Sequence, residues 1–114
     1  MVRAEAAARL RPRPIAAHPY TLLDVFTDRP LAGNGLAVVH DADPLSDATM
    51  HAFARETKLS ETSFVQSPGP DAQHADYRHR IFMMSGEIPF AGHPSLGVAA
   101  AVARARGEAR SRYV

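Results

Sequence analysis

Two short stretches of this 114-residue sequence hold side chains with usable chemistry. The first is Leu59-Ser60-Glu61-Thr62. Glu61 falls where a helical pattern gives way to a strand pattern, at the rim of the apolar body. A carboxylate there can be desolvated, its pKa raised, and can then serve as a general acid or base. A surface glutamate, or one accepting from nearby backbone amides, has the same local sequence. The second stretch is Pro89-Phe90-Ala91-Gly92-His93-Pro94, a strand-turn-helix corner. Gly92 removes a side chain where a ligand could approach the backbone. His93 stands at the mouth of an apolar helix whose free amides attract anions, so a carboxylate substrate suits the corner. The imidazole could bind that substrate or move a proton. It could equally cap its own helix, with Gly92 only shaping the turn.

Other chemistries are excluded or poorly supported. Cysteine is absent, so thiolate catalysis, disulfides and cysteine-based zinc sites are ruled out. His74 and His79 lie in a segment read as loop and strand, where their separation places them on opposite faces. No metal site is expected there, and His18, His40 and His51 read as surface or loop residues. Phosphate-cradling glycine loops, HExxH and GxSxG are missing. Thirteen Lys and Arg against twelve Asp and Glu leave a net charge of +1, which gives no electrostatic case for nucleic acid or an anionic membrane. No apolar run approaches the roughly 18 residues of a membrane span. No signal-like N-terminal block is evident, and the cytoplasm is the expected location.

Two elements must position Glu61. Ser46 is a helix N-cap, Asp47 suits the positive end of the dipole, and Leu45 with Met50 has staple spacing. Met50, Phe53, Ala54 and Thr57 form one inward stripe, and Thr62–Val65 follows as a strand. Earlier, Tyr20–Phe26 and Leu36–Val39 read as strands joined through Gly33-Asn34-Gly35, a tight connection needing unusual backbone angles. Ala75–Phe82 is a further strand, with Tyr77, His79 and Ile81 on one face and Arg78, Arg80 and Phe82 on the other. Ser85-Gly86 allows a turn, and Ile88-Pro89-Phe90 is short and extended.

His93 depends on the helix that follows. Pro94 suits a first helical position, Gly107 a C-terminal stop, and no polar face exists before Arg104. A helix apolar all round demands protein on every side. An α+β fold is expected, a curved, mostly antiparallel sheet wrapped around this central helix. Ser111–Val114 reads as a strand cut short. Residues 1–19, rich in Arg and Pro, read as a disordered extension or a start codon placed too early. Residues 20–114 are the single folded unit; 46% hydrophobic and 22% charged residues suit a globular domain.

Leu23-Asp24-Val25-Phe26 with Pro30–Asn34, Leu59–Val65, and Arg80-Ile81-Phe82 with Glu87–Gly97 together resemble the phenazine-biosynthesis isomerase (PhzF-like) family. The motifs run in order from Tyr20 to about Gly107. The resemblance implies one lobe of a two-lobed fold like that of diaminopimelate epimerase, with the active site between lobes. It implies cofactor-free proton transfer on a small carboxylic acid, dihydro-3-hydroxyanthranilate in the phenazine branch. Glu61 would be the catalytic acid/base, with His93 assisting, and His93 and the Gly92 amide would hold the substrate. Met83-Met84 and Gly35 depart from the family's Thr-Pro pair and proline. The second-lobe motif has no counterpart, so a second lobe, from another chain or a longer gene, or a homo-oligomer is the expected partner. The alternative is a non-catalytic lobe or truncated fragment that binds a small acid or a protein partner.

Overall fold

The computed structural model describes residues 18–72 and 74–108. Five strands form one sheet in chain order: β1 (Tyr20–Val25), β2 (Asn34–Val39), β3 (Glu61–Gln66), β4 (Arg78–Met83) and β5 (Gly86–Ile88). Neighbours pair antiparallel except β2 and β3, which are parallel. A parallel pair needs a crossover, and α1 (Asp47–Thr57) supplies it. The second helix, α2 (Gly92–Arg106), follows β5. This is the α+β class expected, a mostly antiparallel sheet with helices on both faces.

Strand alternation divides the core in two. Leu36 and Val38 of β2 join Val25, Val98, Ala101 and Val102 beneath α2. Val39 and Phe64 join Met50, Ala54 and Phe82 beneath α1. Helix α1 begins as its sequence dictates. Ser46 is its N-cap and accepts from the Thr49 amide. Lys58 ends it in the left-handed conformation, at φ 56°. Arg80 crosses the α1 side of the sheet. It pairs with both carboxylate oxygens of Glu87 on β5, at 2.8 and 2.6 Å, and with Asp47 in the first turn of α1, at 2.7 Å.

Several boundaries differ from expectation. β4 starts at Arg78, because Ala75 closes a turn onto the Ala72 carbonyl, so Tyr77 precedes the strand. His79/Ile81 and Arg80/Phe82 still alternate as expected. β1 stops at Val25, since Phe26 turns to φ 61°. The ladder at the other end reaches Pro19, whose carbonyl accepts from the His40 amide. β2 starts at Asn34, and neither Gly33 nor Gly35 has positive φ. Crowding is what demands Gly33: a Cβ there would lie 2.3 Å from the Val25 carbonyl oxygen.

Helix α2 begins at Gly92, two residues before the expected proline, and its N-cap is Ala91. Pro94 therefore sits at the third helical position, where its missing N–H costs no intrahelical bond. The helix is not enclosed on all sides. His93, Pro94, Gly97, Val98, Ala101 and Val102 are buried, but Leu96 and Ala100 are exposed. Among the described residues it packs chiefly against β1, β2 and β3, and one face stays open. The expected strand at 111–114 and the extension over residues 1–17 lie outside the described residues.

Candidate active site

Glu61 opens β3 three residues after the left-handed turn that ends α1. Its register partner on β2 is Leu36. Leu36 points toward α2, so Glu61 does too, while the next residue, Thr62, faces α1 and bonds the Thr57 hydroxyl at 3.0 Å. A one-residue slip would exchange the two side chains between faces. Gly97 lets α2 settle at this end of the sheet, because a Cβ there would lie 2.4 Å from Leu36 Cδ2 and 3.1 Å from Val25 Cγ2.

That seating brings the first turn of α2 to Glu61. His93 Nδ1 lies 2.9 Å from Glu61 Oε2, across 32 residues of sequence. Both side chains are largely buried, at 8% and 17% exposure. The other ring nitrogen, Nε2, lies 3.2 Å from the main-chain carbonyl oxygen of Asn34, the first residue of β2. Phe26 flanks the imidazole with ring centroids 6.4 Å apart. Gly92 is exposed, and the position of a Cβ on it is open space. Its bare backbone therefore leaves the first amide of the helix open to solvent rather than satisfying internal packing. No side chain caps this helix end, so its positive pole remains available to an anion. A half-buried carboxylate, an imidazole in contact with it and an open helix N-terminus can together hold a small acid and move its proton.

The other histidines stand apart. His74 is in a turn, and His79 is on β4 toward the far end of the ladder, opposite Val65. His79 Nδ1 is buried without a hydrogen-bond partner, and burial holds its pKa below the ordinary range. His40 bonds the Thr21 hydroxyl, and His51 bridges α1 to the turn after β4 through the Met84 carbonyl. Among the described residues, no group of three or more His, Asp or Glu could hold a metal ion. No described helix is long and apolar enough to cross a membrane.

Two members of the constellation were not foreseen. Asn34 contributes a main-chain oxygen, which no side-chain motif announces. Phe26 reaches the ring because its backbone turns to positive φ, which nothing in a phenylalanine suggests.

Comparison with known proteins places the chain in a family. The family described as phenazine biosynthesis-like protein matches residues 23–114. Trans-2,3-dihydro-3-hydroxyanthranilate isomerase of Pseudomonas aeruginosa is 48% identical over 85 residues, covering 75% of this chain and 30% of that protein. An uncharacterized isomerase of Mesorhizobium japonicum is 52% identical over 89 residues, 78% of this chain and 29% of that one. Among solved structures, a predicted epimerase from Pseudomonas aeruginosa superposes with a TM-score of 0.72 at 48% identity, over 80% of this chain and 31% of that chain. A PhzF-family protein from Bacillus anthracis gives 0.69 at 34% identity, over 82% and 29%. The chain thus spans less than a third of the length of these relatives.

Proposed function

This chain belongs to the phenazine biosynthesis-like family, and on that premise we propose that it supplies the proton-handling half of a cofactor-free isomerase. The substrate is a small carboxylic acid of the dihydro-hydroxyanthranilate type named for the Pseudomonas relative. Glu61 is the acid/base. Its Oε2 is engaged by His93, which leaves Oε1 to take a proton from one substrate carbon and return it to another. His93 and the Gly92 amide at the positive end of α2 hold the substrate and steady the charge that develops. The observation that carries this reading is the 2.9 Å contact between Glu61 and His93 beside an uncapped helix N-terminus.

A proton-transfer group of this kind contributes about 10²–10⁴ in rate when substrate is oriented and water excluded. The relatives are more than twice as long as this chain, and in this family's two-lobed proteins the remaining length would close the cleft. The 114-residue chain by itself is therefore expected to be a weak or inactive isomerase. The test is proton exchange into a small unsaturated or hydroxylated carboxylic acid in deuterated water, wild type against Glu61→Gln. Exchange that is weak alone, rises when the second lobe is supplied and disappears in Glu61→Gln supports the proposal. Equal exchange in both proteins removes Glu61 from the mechanism. Robust exchange by a strictly monomeric chain removes the need for a second lobe.

A further inference from the structure

The partners of two imidazoles, His51 and His93, differ in kind. His51 has one donor and one acceptor: Arg55 Nη1 approaches Nδ1 at 3.1 Å, and the Met84 carbonyl lies 2.8 Å from Nε2. A neutral ring with its proton on Nε2 satisfies both. His93 has two oxygen partners. The Asn34 carbonyl can only accept, so Nε2 must donate to it. Nδ1 of a neutral ring is then a lone pair, facing a carboxylate oxygen at 2.9 Å. Two acceptors do not meet at that distance without a proton between them. The pair therefore holds one proton along the Nδ1–Oε2 line, and it can sit on either atom without either residue moving.

What holds the Asn34 carbonyl in place is the turn before it. Asp24 Oδ2 accepts from the amides of Ala32 at 3.0 Å and Gly33 at 3.2 Å. Gly33 is packed so closely that a Cβ would meet the Val25 carbonyl oxygen at 2.3 Å and Asp24 Oδ1 at 2.9 Å. The β1–β2 register places Asp24 opposite Gly35 and Val25 opposite Asn34. We propose that Asp24 is a positioning residue: by clamping the Ala32–Gly33 turn it fixes the Asn34 carbonyl on His93 Nε2, and so makes Nδ1 the nitrogen that shares a proton with Glu61. As an account of catalysis this rests on the proposed roles of Glu61 and His93. Asp24 lies behind the turn on β1, and α2 presents its positive pole; Asn34, Ser60 and Phe26 are neutral.

Long-range proton–nitrogen correlation spectra of the chain labelled at histidine nitrogen read the tautomer directly. In the wild type, the neutral His93 ring is expected to carry its proton on Nε2. Asp24→Ala is expected to lose the single-tautomer signature and show both neutral forms. Asp24→Asn, which keeps one acceptor oxygen for the turn amides, is expected to restore it. Amide dispersion of each variant establishes that it is folded. Three results overturn the proposal: a bare Nε2 with protonated Nδ1 in the wild type, an unaltered tautomer in folded Asp24→Ala, or loss of the signature in Asp24→Asn as well. Should Asp24→Ala fail to fold, the wild type and Asp24→Asn still decide. The readout is independent of turnover. A single Nε2–H tautomer beside exchange that ignores Glu61→Gln upholds the positioning and discards the catalytic role. A bare Nε2 beside exchange that depends on Glu61 does the reverse.

Discussion

Arg80 serves three elements with one guanidinium. Its side chain is 15% exposed, lies 5.4 Å from the centre of the Phe82 ring, and holds Glu87 and Asp47 at once. Its charge and hydrogen bonds hold both carboxyls below their ordinary values of 4.5 and 3.8. A depressed carboxyl pKa adds stability above the unfolded value and loses it as pH falls through the folded one. Stability is therefore expected to decline as pH drops below about 4.5. Arg80→Met should remove most of that decline and lower stability at neutral pH only modestly, since both carboxylates are solvated. Urea unfolding at pH 7, 5 and 3.5 checks both expectations. An acid response unchanged in the variant would place its origin elsewhere. This clamp was legible only in outline: alternation put Arg80 and Phe82 on one face, but the partners are 7 and 33 residues away and follow from the register of β4 with β5 and α1.

Helix α2 shows what periodicity can and cannot say. Its alanines and valines carry no polar face, so the sequence announces burial without saying which side is buried by this chain. Contact with β1, β2 and β3 selects Gly97, Val98, Ala101 and Val102 and leaves Ala100 and Leu96 outside. Two substitutions one residue apart should separate these faces. Ala101→Glu places a charge at a site 1% exposed and is expected to cost roughly 3 kcal/mol or more. Ala100→Glu should stay within about 0.5 kcal/mol in this chain. Gly97→Ala sets two effects against each other. Helix propensity favours alanine by about 1 kcal/mol, but the new methyl would sit 2.4 Å from Leu36 Cδ2 and 3.1 Å from Val25 Cγ2, and because Leu36 is fully buried it can give way only by crowding its neighbours. Overpacking of about 1–3 kcal/mol wins, so the variant is expected to melt lower. Thermal unfolding of the three variants tests the packing, and a stabilised Gly97→Ala would show that α2 does not sit against β2 as described. The ends of elements were the less legible part. Ser46, Gly107 and the α1 stripe follow from local chemistry, whereas the starts of β4 and α2 depend on a turn and a strand exit that carry no residue signature.

For the molecule as a unit, four of the seven large apolar side chains exposed among the described residues belong to the segments around the site. Phe90 is 72% exposed and Leu96 55%, each three residues from His93, and Phe26, which flanks the imidazole, is 68% exposed. Leu31 at 99% belongs to the turn leading to Asn34. Side chains of this size scattered singly would need no explanation. Gathered around a half-buried carboxylate and an uncapped helix end, they make a surface that water covers poorly and a second apolar face would cover well. The three-motif resemblance made a single lobe of a two-lobed fold legible, but the position of its open face could not be read until the packing of α2 was known. The consequence is measurable. The 114-residue chain should self-associate in sedimentation velocity over a micromolar concentration series, and Leu96→Lys with Phe90→Ser should shift it toward monomer. Because both positions are exposed, the double variant should unfold within about 1 kcal/mol of the wild type. A wild type that stays monomeric at high concentration, or a double variant that associates as strongly, would mean that this face is not where the chain meets its partner. The same double variant offers a link to chemistry: if a supplied second lobe covers the site through this face, the exchange it restores should be lost with Leu96 and Phe90 although Glu61 and His93 are untouched.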